Sequence, residues 1–209
     1  MLEDCRTGRE EDCTSSEGIV LIDRAVGIGI RPFAATDVEP MFFAVRESIR
    51  ELCSWMVWCD TDYSREDSAA FISRCDEDWA ERKSFSFVIF DVADDSFLGS
   101  VGLNNIDHTH QFANLGYWVR TNRTRSGVAS AAIRLAYEFA FNQTGLNRLE
   151  LIVPMGNGAS AGAAEKAGAH REGLLRSRVV LNGVAHDAIL FSMVKPSGFA
   201  ASNEGQTQS

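Results

Sequence analysis

The chain has 209 residues, of which 45% are apolar and 23% are charged. This composition predicts one globular domain with short tails, large enough to bury a core without disulfide staples. The formal net charge of −9 argues against a nucleic-acid binder that works through a basic surface. An acidic surface suits an amine or another cationic substrate, but acidity that serves solubility alone would explain the charge equally well.

The five cysteines are an odd number, and no two of them form a C-x-x-C pair. They are Cys5, Cys13, Cys53, Cys59 and Cys75. This pattern favours reduced thiols in a cytoplasm over a disulfide framework. The chain has no apolar run of about 18 residues, and its acidic N-terminus lacks the basic and apolar segments of a secretory signal. We therefore expect a cytoplasmic protein with no direct partner among membranes or nucleic acids.

The first half of the chain predicts a disordered tail, a strand and two helices. Residues 1–18 are acidic and aperiodic, and residues 196–209 are rich in Ser, Gly, Asn and Gln, so both are predicted to be disordered around one domain at 19–195. Alternating apolar residues from Ile28 predict the first strand. Apolar residues at helical spacing then predict one helix from Ala35 through Leu52, and a second helix capped by Ser64.

The second half predicts most of a sheet. Strands are expected at residues 84–92, 96–106, 112–120 and 149–153, and helices after Gly127 and at residues 158–167. The Asn182-Gly183 pair predicts a hairpin between strands at 173–181 and 184–193. This order predicts an α+β fold, in which a mixed, mostly antiparallel sheet of about seven strands carries helices on both faces.

One strand–turn–helix, at residues 116–142, has the features of an anion site. Its polar turn contains Thr124, Arg125 and Ser126 and ends at Gly127, where the helix begins. A glycine allows close approach of a ligand to the backbone, and the unpaired amides and dipole of a helix start attract anions. We predict that this turn binds a pyrophosphate. The alternative is an ordinary helix start with solvated arginines, since the P-loop lysine and the GxGxxG pattern are both missing.

A second helix start, at Asn157, also admits two interpretations. Asn157 is a good helix cap and Ser160 an ordinary first-turn residue. Alternatively, Asn157 bonds an amide-bearing ligand while the Ser160 hydroxyl approaches its reactive end. The glycines at 158 and 162 each cost a helix about 1 kcal/mol relative to alanine. That cost favours a helix against which something packs closely.

Three other groups of residues predict structure rather than chemistry. The Asp107–His110 segment lacks a third and a fourth ligand, so no metal site is expected there. His186 and Asp187 fit a structural hydrogen bond better than a catalytic pair. Trp55 and Trp58 are expected to pack in the core or in a lid rather than to stack on a ligand.

Taken in order, five motifs resemble the GNAT superfamily of acetyl-CoA-dependent N-acetyltransferases. They are most similar to the branch that acetylates the N-terminal alanine or serine of ribosomal proteins. The resemblance covers about residues 25–195. The motifs are Gly116-Tyr117-Trp118-Val119, Gly127-Val128-Ala129, Asn157-x-x-Ser160, Glu165-Lys166-x-Gly168 and Arg171-Glu172-Gly173.

The resemblance implies a three-layer αβα fold and acetyl-CoA as the co-substrate, without a metal. It implies that the turn amides bind the CoA pyrophosphate, and that Val119 pairs with the pantetheine arm where two strands splay apart. Asn157 matches an asparagine that contacts CoA, and Ser160 matches the hydroxyl that protonates the leaving thiolate. The implied cofactor-binding residues are Val119, Thr124, Arg125, Ser126, Gly127, Val128, Ala129, Ser130 and Asn157.

The chain departs from the family pattern at the turn and at the catalytic base. Thr124 stands where the family has Arg or Gln, with the arginines on either side as candidate substitutes. The glutamates that serve as bases in other members fall on Val179 and Asn114. Glu150 is the nearest carboxylate that remains as a catalytic candidate beside Ser160.

The absence of the family's glutamate base affects which acceptor amine the enzyme can use. An α-amino group with a pKa near 7.8 is roughly a third neutral at pH 7.5, whereas a lysine amine near 10.4 is only about 0.1% neutral. An enzyme without a strong base therefore favours the N-terminal amine of a protein or peptide. The alternatives are a small amine, such as a polyamine, amino acid or aminoglycoside, and a non-catalytic CoA-binding module. The acyl length and the oligomeric state stay open, with a homodimer as the candidate assembly.

Overall fold

The computed structural model describes residues 18–195, which form eight strands and five α-helices. The strands are β1 (Leu21–Asp23), β2 (Ile28–Pro32), β3 (Phe85–Asp91), β4 (Phe97–Asp107), β5 (Phe112–Val119), β6 (Arg148–Pro154), β7 (His170–Leu181) and β8 (Val184–Val194). The helices are α1 (Val38–Glu47), α2 (Ile49–Trp55), α3 (Arg65–Ala80), α4 (Val128–Gln143) and α5 (Gly158–Lys166). The predicted tails fall almost wholly outside the described residues. Within residues 18–195, no helix is long and apolar enough to cross a membrane.

All eight strands join one sheet in the order β1-β2-β3-β4-β5-β6-β8-β7. Every neighbouring pair is antiparallel except β5 and β6, which run parallel. The parallel ladder is short: it runs from the Phe112–Arg148 pair only to the Asn114–Glu150 pair. Beyond it, the two strands are no longer paired with each other, so the sheet splays open between them.

Side chains on β3 show how the helices divide between the two faces of the sheet. Phe87 and Ile89 join the core cluster that contains α4, whereas the alternate residues Val88 and Phe90 join the cluster that contains α1 and α2. Successive strand residues point to opposite faces, so the sheet carries helices on both. The predicted α+β class with a mixed, mostly antiparallel sheet is confirmed.

The long helix α4 anchors the larger core. Its predicted apolar stripe is buried from Val128 to Phe139, as residues spaced three and four apart share a helix face. The Phe139 ring lies 4.8 Å from Phe87, 5.3 Å from Phe85 and 5.5 Å from Trp79, measured between ring centres. This aromatic group joins α4 to β3 and to the end of α3.

The structure corrects the prediction in two places. The sheet has eight strands rather than about seven, because the three-residue β1 is too short to show an apolar alternation. The single helix expected from Ala35 through Leu52 is divided, because Ser48 leaves the helical conformation with φ −102° and ψ 10°. Ser48 is fully buried, and its hydroxyl accepts a hydrogen bond from the Thr121 amide at 2.9 Å. A hydrogen bond from a residue 73 positions further along the chain therefore stabilises the break between α1 and α2.

Phe139→Ala should lower the free energy of unfolding by about 3–5 kcal/mol, because it leaves a cavity among three other aromatic rings. Urea denaturation measures the change. Phe43→Ala is the matched control, since Phe43 is 57% exposed, and it should cost under about 1 kcal/mol. Equal losses in the two variants would contradict the assignment of Phe139 to the core.

Candidate active site

The splay between β5 and β6 brings two helix starts to the same end of the sheet. Parallel strands place their carboxyl ends side by side. Here β5 leads through a polar turn into α4, and β6 leads through a short loop into α5. The predicted anion site at Gly127 and the predicted site at Asn157 and Ser160 therefore flank one opening.

The turn before α4 presents unpaired backbone amides. Gly127 is the helix N-cap at φ +87°, a left-handed conformation that side chains disfavour, and no side chain caps the helix. The hydroxyls of this turn donate to carbonyl groups instead: Ser126 to Arg123 at 2.6 Å, and Ser130 to Gly127 at 3.0 Å. Within residues 18–195, none of the amides from residue 125 to residue 130 donates a hydrogen bond.

Charge and backbone shape at this turn fit an anion. Arg125 also has a positive φ, +62°, and left-handed residues of this kind occur in the backbone nests that bind anions. The Arg125 side chain is exposed and makes no salt bridge within the described part of the chain. Arg123 is committed elsewhere, 3.3 Å from the Asp91 carboxylate. Of the two arginines that flank Thr124, Arg125 is therefore the one free to approach a phosphate.

Val119 lies at the open end of β5, as the resemblance implies. It pairs with Gly99 of β4 on one side of the strand. On the other side, the ladder to β6 has already ended at Asn114. This stretch of β5 therefore leaves one edge available to an extended ligand.

Asn157 caps α5, in agreement with the first of its two interpretations. Its side-chain oxygen accepts a hydrogen bond from the Ser160 amide at 3.0 Å. Its side-chain nitrogen has no hydrogen-bond partner among residues 18–195. The cap and a ligand contact are compatible, because the amide group carries an acceptor and two donors.

Tyr117 is a site residue that the sequence did not predict. Its hydroxyl lies 2.8 Å from Oγ of Ser160 and 3.2 Å from the Ser160 carbonyl oxygen. The tyrosine thus spans the splay from β5 to the first turn of α5. Burial raises the pKa of Tyr117, while its hydrogen bond to Ser160 lowers it. The raised pKa keeps the phenol protonated near neutral pH, so the pair can hold and pass on a proton.

Glu150 lies at the closed end of the splay. It is the last residue of the parallel ladder, opposite Asn114, and Tyr117 is three residues further along β5, about 10 Å at ~3.3 Å per residue. Its Oε1 accepts a hydrogen bond from Nε of Arg148 at 2.8 Å. Among residues 18–195, Glu150 is hydrogen-bonded to Arg148 and not to Ser160 or Tyr117.

Glu172, from the Arg-Glu-Gly motif, has a structural role beside Glu150. Both its oxygens accept from Arg148, at 2.7 and 2.6 Å, and Oε1 also accepts from Ser192 at 2.6 Å. The hydrogen bonds from Arg148, and to a smaller extent the one from Ser192, lower the pKa of Glu172 to about 2. This network ties the beginnings of β6 and β7 to the end of β8.

A clamp joins the turn before α4 to the junction of α1 and α2. The Thr121 amide donates to Oγ of Ser48 at 2.9 Å, and the Thr121 hydroxyl donates to Glu51 at 3.2 Å. Arg120 forms a salt bridge with Glu47. Helices on one side of the opening thus hold the turn on the other side.

Aromatic residues border the opening. We define the rim as residues 55–63, which begin at the last residue of α2. The Trp58 ring lies 6.1 Å from Trp118 of β5 and 5.8 Å from Tyr63. A Cβ atom built on Gly156 would lie 3.7 Å from Cη2 of Trp55, so the indole rests against the loop that precedes Asn157. Trp55 is half-buried, whereas Trp58 stays 45% exposed, so neither lies in the core. Their contacts join the rim to β5 and to the loop after β6.

The remaining candidates lie outside this arrangement. The Asp107 side chain accepts from the His110 amide, and the Asp187 side chain accepts from the Ser177 amide, so both have structural partners. No three His, Cys, Asp or Glu side chains gather to hold a metal in the part of the chain that the structure describes. A depression of about 860 Å³ between α4 and the β7–β8 strands contains none of the predicted site residues.

Comparison with known proteins identifies the family. Residues 28–170 match the family described as the acetyltransferase (GNAT) domain. The chain is 31% identical over 172 residues to YjcK of Bacillus subtilis (strain 168), named as a probable N-acetyltransferase; the match covers 81% of this chain and 94% of that protein. It is 32% identical over 102 residues to B. subtilis YdaF, whose name contains "ribosomal N-acetyltransferase"; the match covers 49% of this chain and 56% of that protein.

A solved structure extends the comparison to the cofactor. Mycobacterium smegmatis RimJ, solved in complex with CoA-disulfide, matches with a TM-score of 0.75 at 25% identity; the match covers 81% of this chain and 83% of that one. The family match spans most of the described domain, including both helix starts and the splay between them. The chain therefore belongs to the GNAT acetyltransferases and is an N-acetyltransferase that uses acetyl-CoA.

Proposed function

We propose that this enzyme acetylates the N-terminal amine of a protein or peptide. One observation carries the proposal: the hydroxyl pair of Ser160 and Tyr117 stands at the open end of the splay, and no carboxylate within residues 18–195 is hydrogen-bonded to either hydroxyl. The site thus has a proton donor for the leaving group without an adjacent strong base. Such a site requires an acceptor amine that is already neutral. The name of the relative YdaF also supports a protein acceptor.

In this proposal, three parts of the site hold acetyl-CoA. The amides of Arg125 to Ser130 receive the pyrophosphate, with the Arg125 guanidinium nearby. The open edge of β5 at Val119 pairs with the amide-bearing pantetheine arm, and the free side-chain nitrogen of Asn157 donates to the same arm. This path leads the thioester toward Ser160.

The transfer itself is a direct attack. The neutral amine nitrogen attacks the acetyl carbonyl carbon, and the carbon–sulfur bond then breaks. Oγ of Ser160 donates its proton to the leaving thiolate, and the Tyr117 hydroxyl, 2.8 Å away, returns a proton to Ser160. The acetylated nitrogen loses its extra proton to water, with Glu150 as the candidate relay at the far end of a water path. The same proton then returns through water to the Tyr117 oxygen, so that Tyr117 is again a phenol and CoA leaves as the free thiol.

The energetics favour an α-amine over a lysine side chain. The pKa difference of about 2.6 between the two amines corresponds to roughly 3.5 kcal/mol, the cost of obtaining a neutral lysine at the same pH. An enzyme without an adjacent base has no means of offsetting that cost. The rim borders the opening where the acceptor would enter. Only the N-terminal amine of the acceptor would need to enter this opening, and the rest of the acceptor peptide would stay outside the site.

The proposal predicts a preference between two peptides. A peptide with a free N-terminus and no lysine should be acetylated with a kcat/KM at least about 100-fold higher than an N-blocked peptide with one internal lysine, because of their different neutral fractions. Mass spectrometry of the products measures both rates. Comparable rates on the two peptides would contradict the proposal, and spermidine as the preferred substrate would favour a small-amine enzyme.

Ser160→Ala should leave the affinity for CoA unchanged within about twofold and lower kcat by about 100-fold, the usual contribution of a general acid. Folding should be preserved, because the helix cap uses the Ser160 amide and not its hydroxyl. Tyr117→Phe should lower kcat in the same direction without raising the KM for acetyl-CoA. Ser73→Ala, an exposed serine on α3, is the control. Unchanged kcat in both site variants would remove the pair from the mechanism.

Gly127→Val should weaken CoA binding by more than about tenfold, because a side chain at this left-handed position both strains the turn and obstructs the phosphates. Gly145→Val is the matched control: Gly145, just beyond the other end of α4, also has a positive φ, +75°. The control shares the strain but lies away from the site. Titration calorimetry with CoA measures both, and equal losses would show that the effect is strain alone.

A further inference from the structure

Two thiols approach each other at the base of the rim. Sγ of Cys53 and Sγ of Cys59 lie 3.0 Å apart, and both cysteines are free. Cys53 belongs to α2 and is half-buried, whereas Cys59 lies on the rim and is 8% exposed. A disulfide requires sulfur atoms at about 2.05 Å. The thiols therefore need to move together by only about 1 Å to reach that distance.

Local backbone structure produces this approach. The Met56 amide donates to the Leu52 carbonyl at 2.7 Å, which ends α2, and the Cys59 amide donates to the Met56 carbonyl at 3.1 Å. These two bonds turn the chain back on itself immediately after the helix. The Cys59 side chain consequently returns to the helix that carries Cys53.

We propose that Cys53 and Cys59 form a reversible dithiol–disulfide site that staples the rim to α2. The co-reactant is a small-molecule disulfide such as glutathione disulfide. The Cys53 thiolate attacks one sulfur of that molecule and releases one glutathione, which forms a mixed disulfide. The Cys59 thiolate then attacks Sγ of Cys53 and releases the second glutathione. The protein loses two protons and two electrons, and the glutathione disulfide is reduced to two thiols.

The surroundings of the two thiols indicate the order in which they react. Burial, and to a smaller extent the hydrogen bond with Cys53, raises the pKa of Cys59 to about 12. Cys53 is the more accessible sulfur and meets the oxidant first, whereas Cys59 resolves the intermediate. Cys75 provides a contrast within the same chain: it is 6% exposed, burial raises its pKa to about 12, and its Sγ donates to the Phe71 carbonyl rather than to a second thiol.

The staple would act on the acceptor side of the enzyme, an effect that rests on the proposed function. Trp58 precedes Cys59 and packs on Trp118 of β5, while Trp55 rests on the loop before Asn157. A covalent link between α2 and the rim stiffens this border of the opening. We expect the oxidised enzyme to acetylate peptides several-fold more slowly, with CoA affinity unchanged.

Peptide mapping tests the site directly. The full-length protein is incubated with glutathione disulfide, its remaining thiols are alkylated, and it is digested with trypsin. Cleavage after Arg50 and Arg65 gives one peptide, 51–65, that contains Cys53 and Cys59 and no other cysteine. This peptide should lose two hydrogen atoms and escape alkylation. The peptide 75–82, with Cys75, should stay alkylated and serves as the internal control. Dithiothreitol should reverse the change.

Variants and an activity assay complete the test. Cys59→Ser should stop at a glutathione adduct on Cys53, and Cys53→Ser should leave Cys59 unmodified. Peptide acetylation should slow on oxidation in the wild type and not in Cys53→Ser. Alkylation of both thiols in the wild type, under conditions that fully oxidise a free dithiol, would overturn the proposal, as would an unchanged acetylation rate after complete oxidation. A protein inactive in both redox states would instead refute the proposed function, because the mass change is read without activity.

Discussion

The site depends on the early end of the parallel ladder between β5 and β6. Three residue pairs join the strands, and after Asn114 and Glu150 the pairing stops. Had it continued, the backbone of β5 up to Val119 would be bonded on both sides, and the sheet would be closed. Because it stops, an extended ligand has a free strand edge to follow. Across the same divergence, the Tyr117 hydroxyl reaches from β5 to Ser160 in the first turn of α5.

The two sides of the opening are mechanically connected. Ser48 breaks the helical pattern between α1 and α2 and accepts a hydrogen bond from the Thr121 amide, in the turn before α4. Glu51 lies one helical turn further along α2 and bonds the same threonine. Cys53 follows on that helix, where it meets the thiol of Cys59 on the rim. The thiol contact at the rim is therefore only a few residues from the contacts that hold the turn before α4.

Local features of the site were accessible from the sequence, whereas its long-range contacts were not. Gly127 and Asn157 could be identified because a left-handed glycine at a helix start and an asparagine cap each depend only on a few neighbouring residues. The Tyr117–Ser160 pair joins residues 43 apart, and only the fold brings them together. Ser48 likewise breaks a strongly periodic helical pattern for a partner 73 residues away. Glu150 was identified by residue type, but its distance from Ser160 and its bond to Arg148 are properties of the sheet register.

We propose that unpaired amides before and within the first turn of α4 bind the phosphates of CoA. The most direct measurement is a ¹H–¹⁵N correlation titration of the labelled protein with CoA. We predict that the amide resonances of residues 125–130 shift first and furthest. Those of Asn147, just before β6, and of Lys195, which is hydrogen-bonded to Asn147, should stay in place. Saturation with CoA that leaves residues 125–130 unmoved would contradict the proposal.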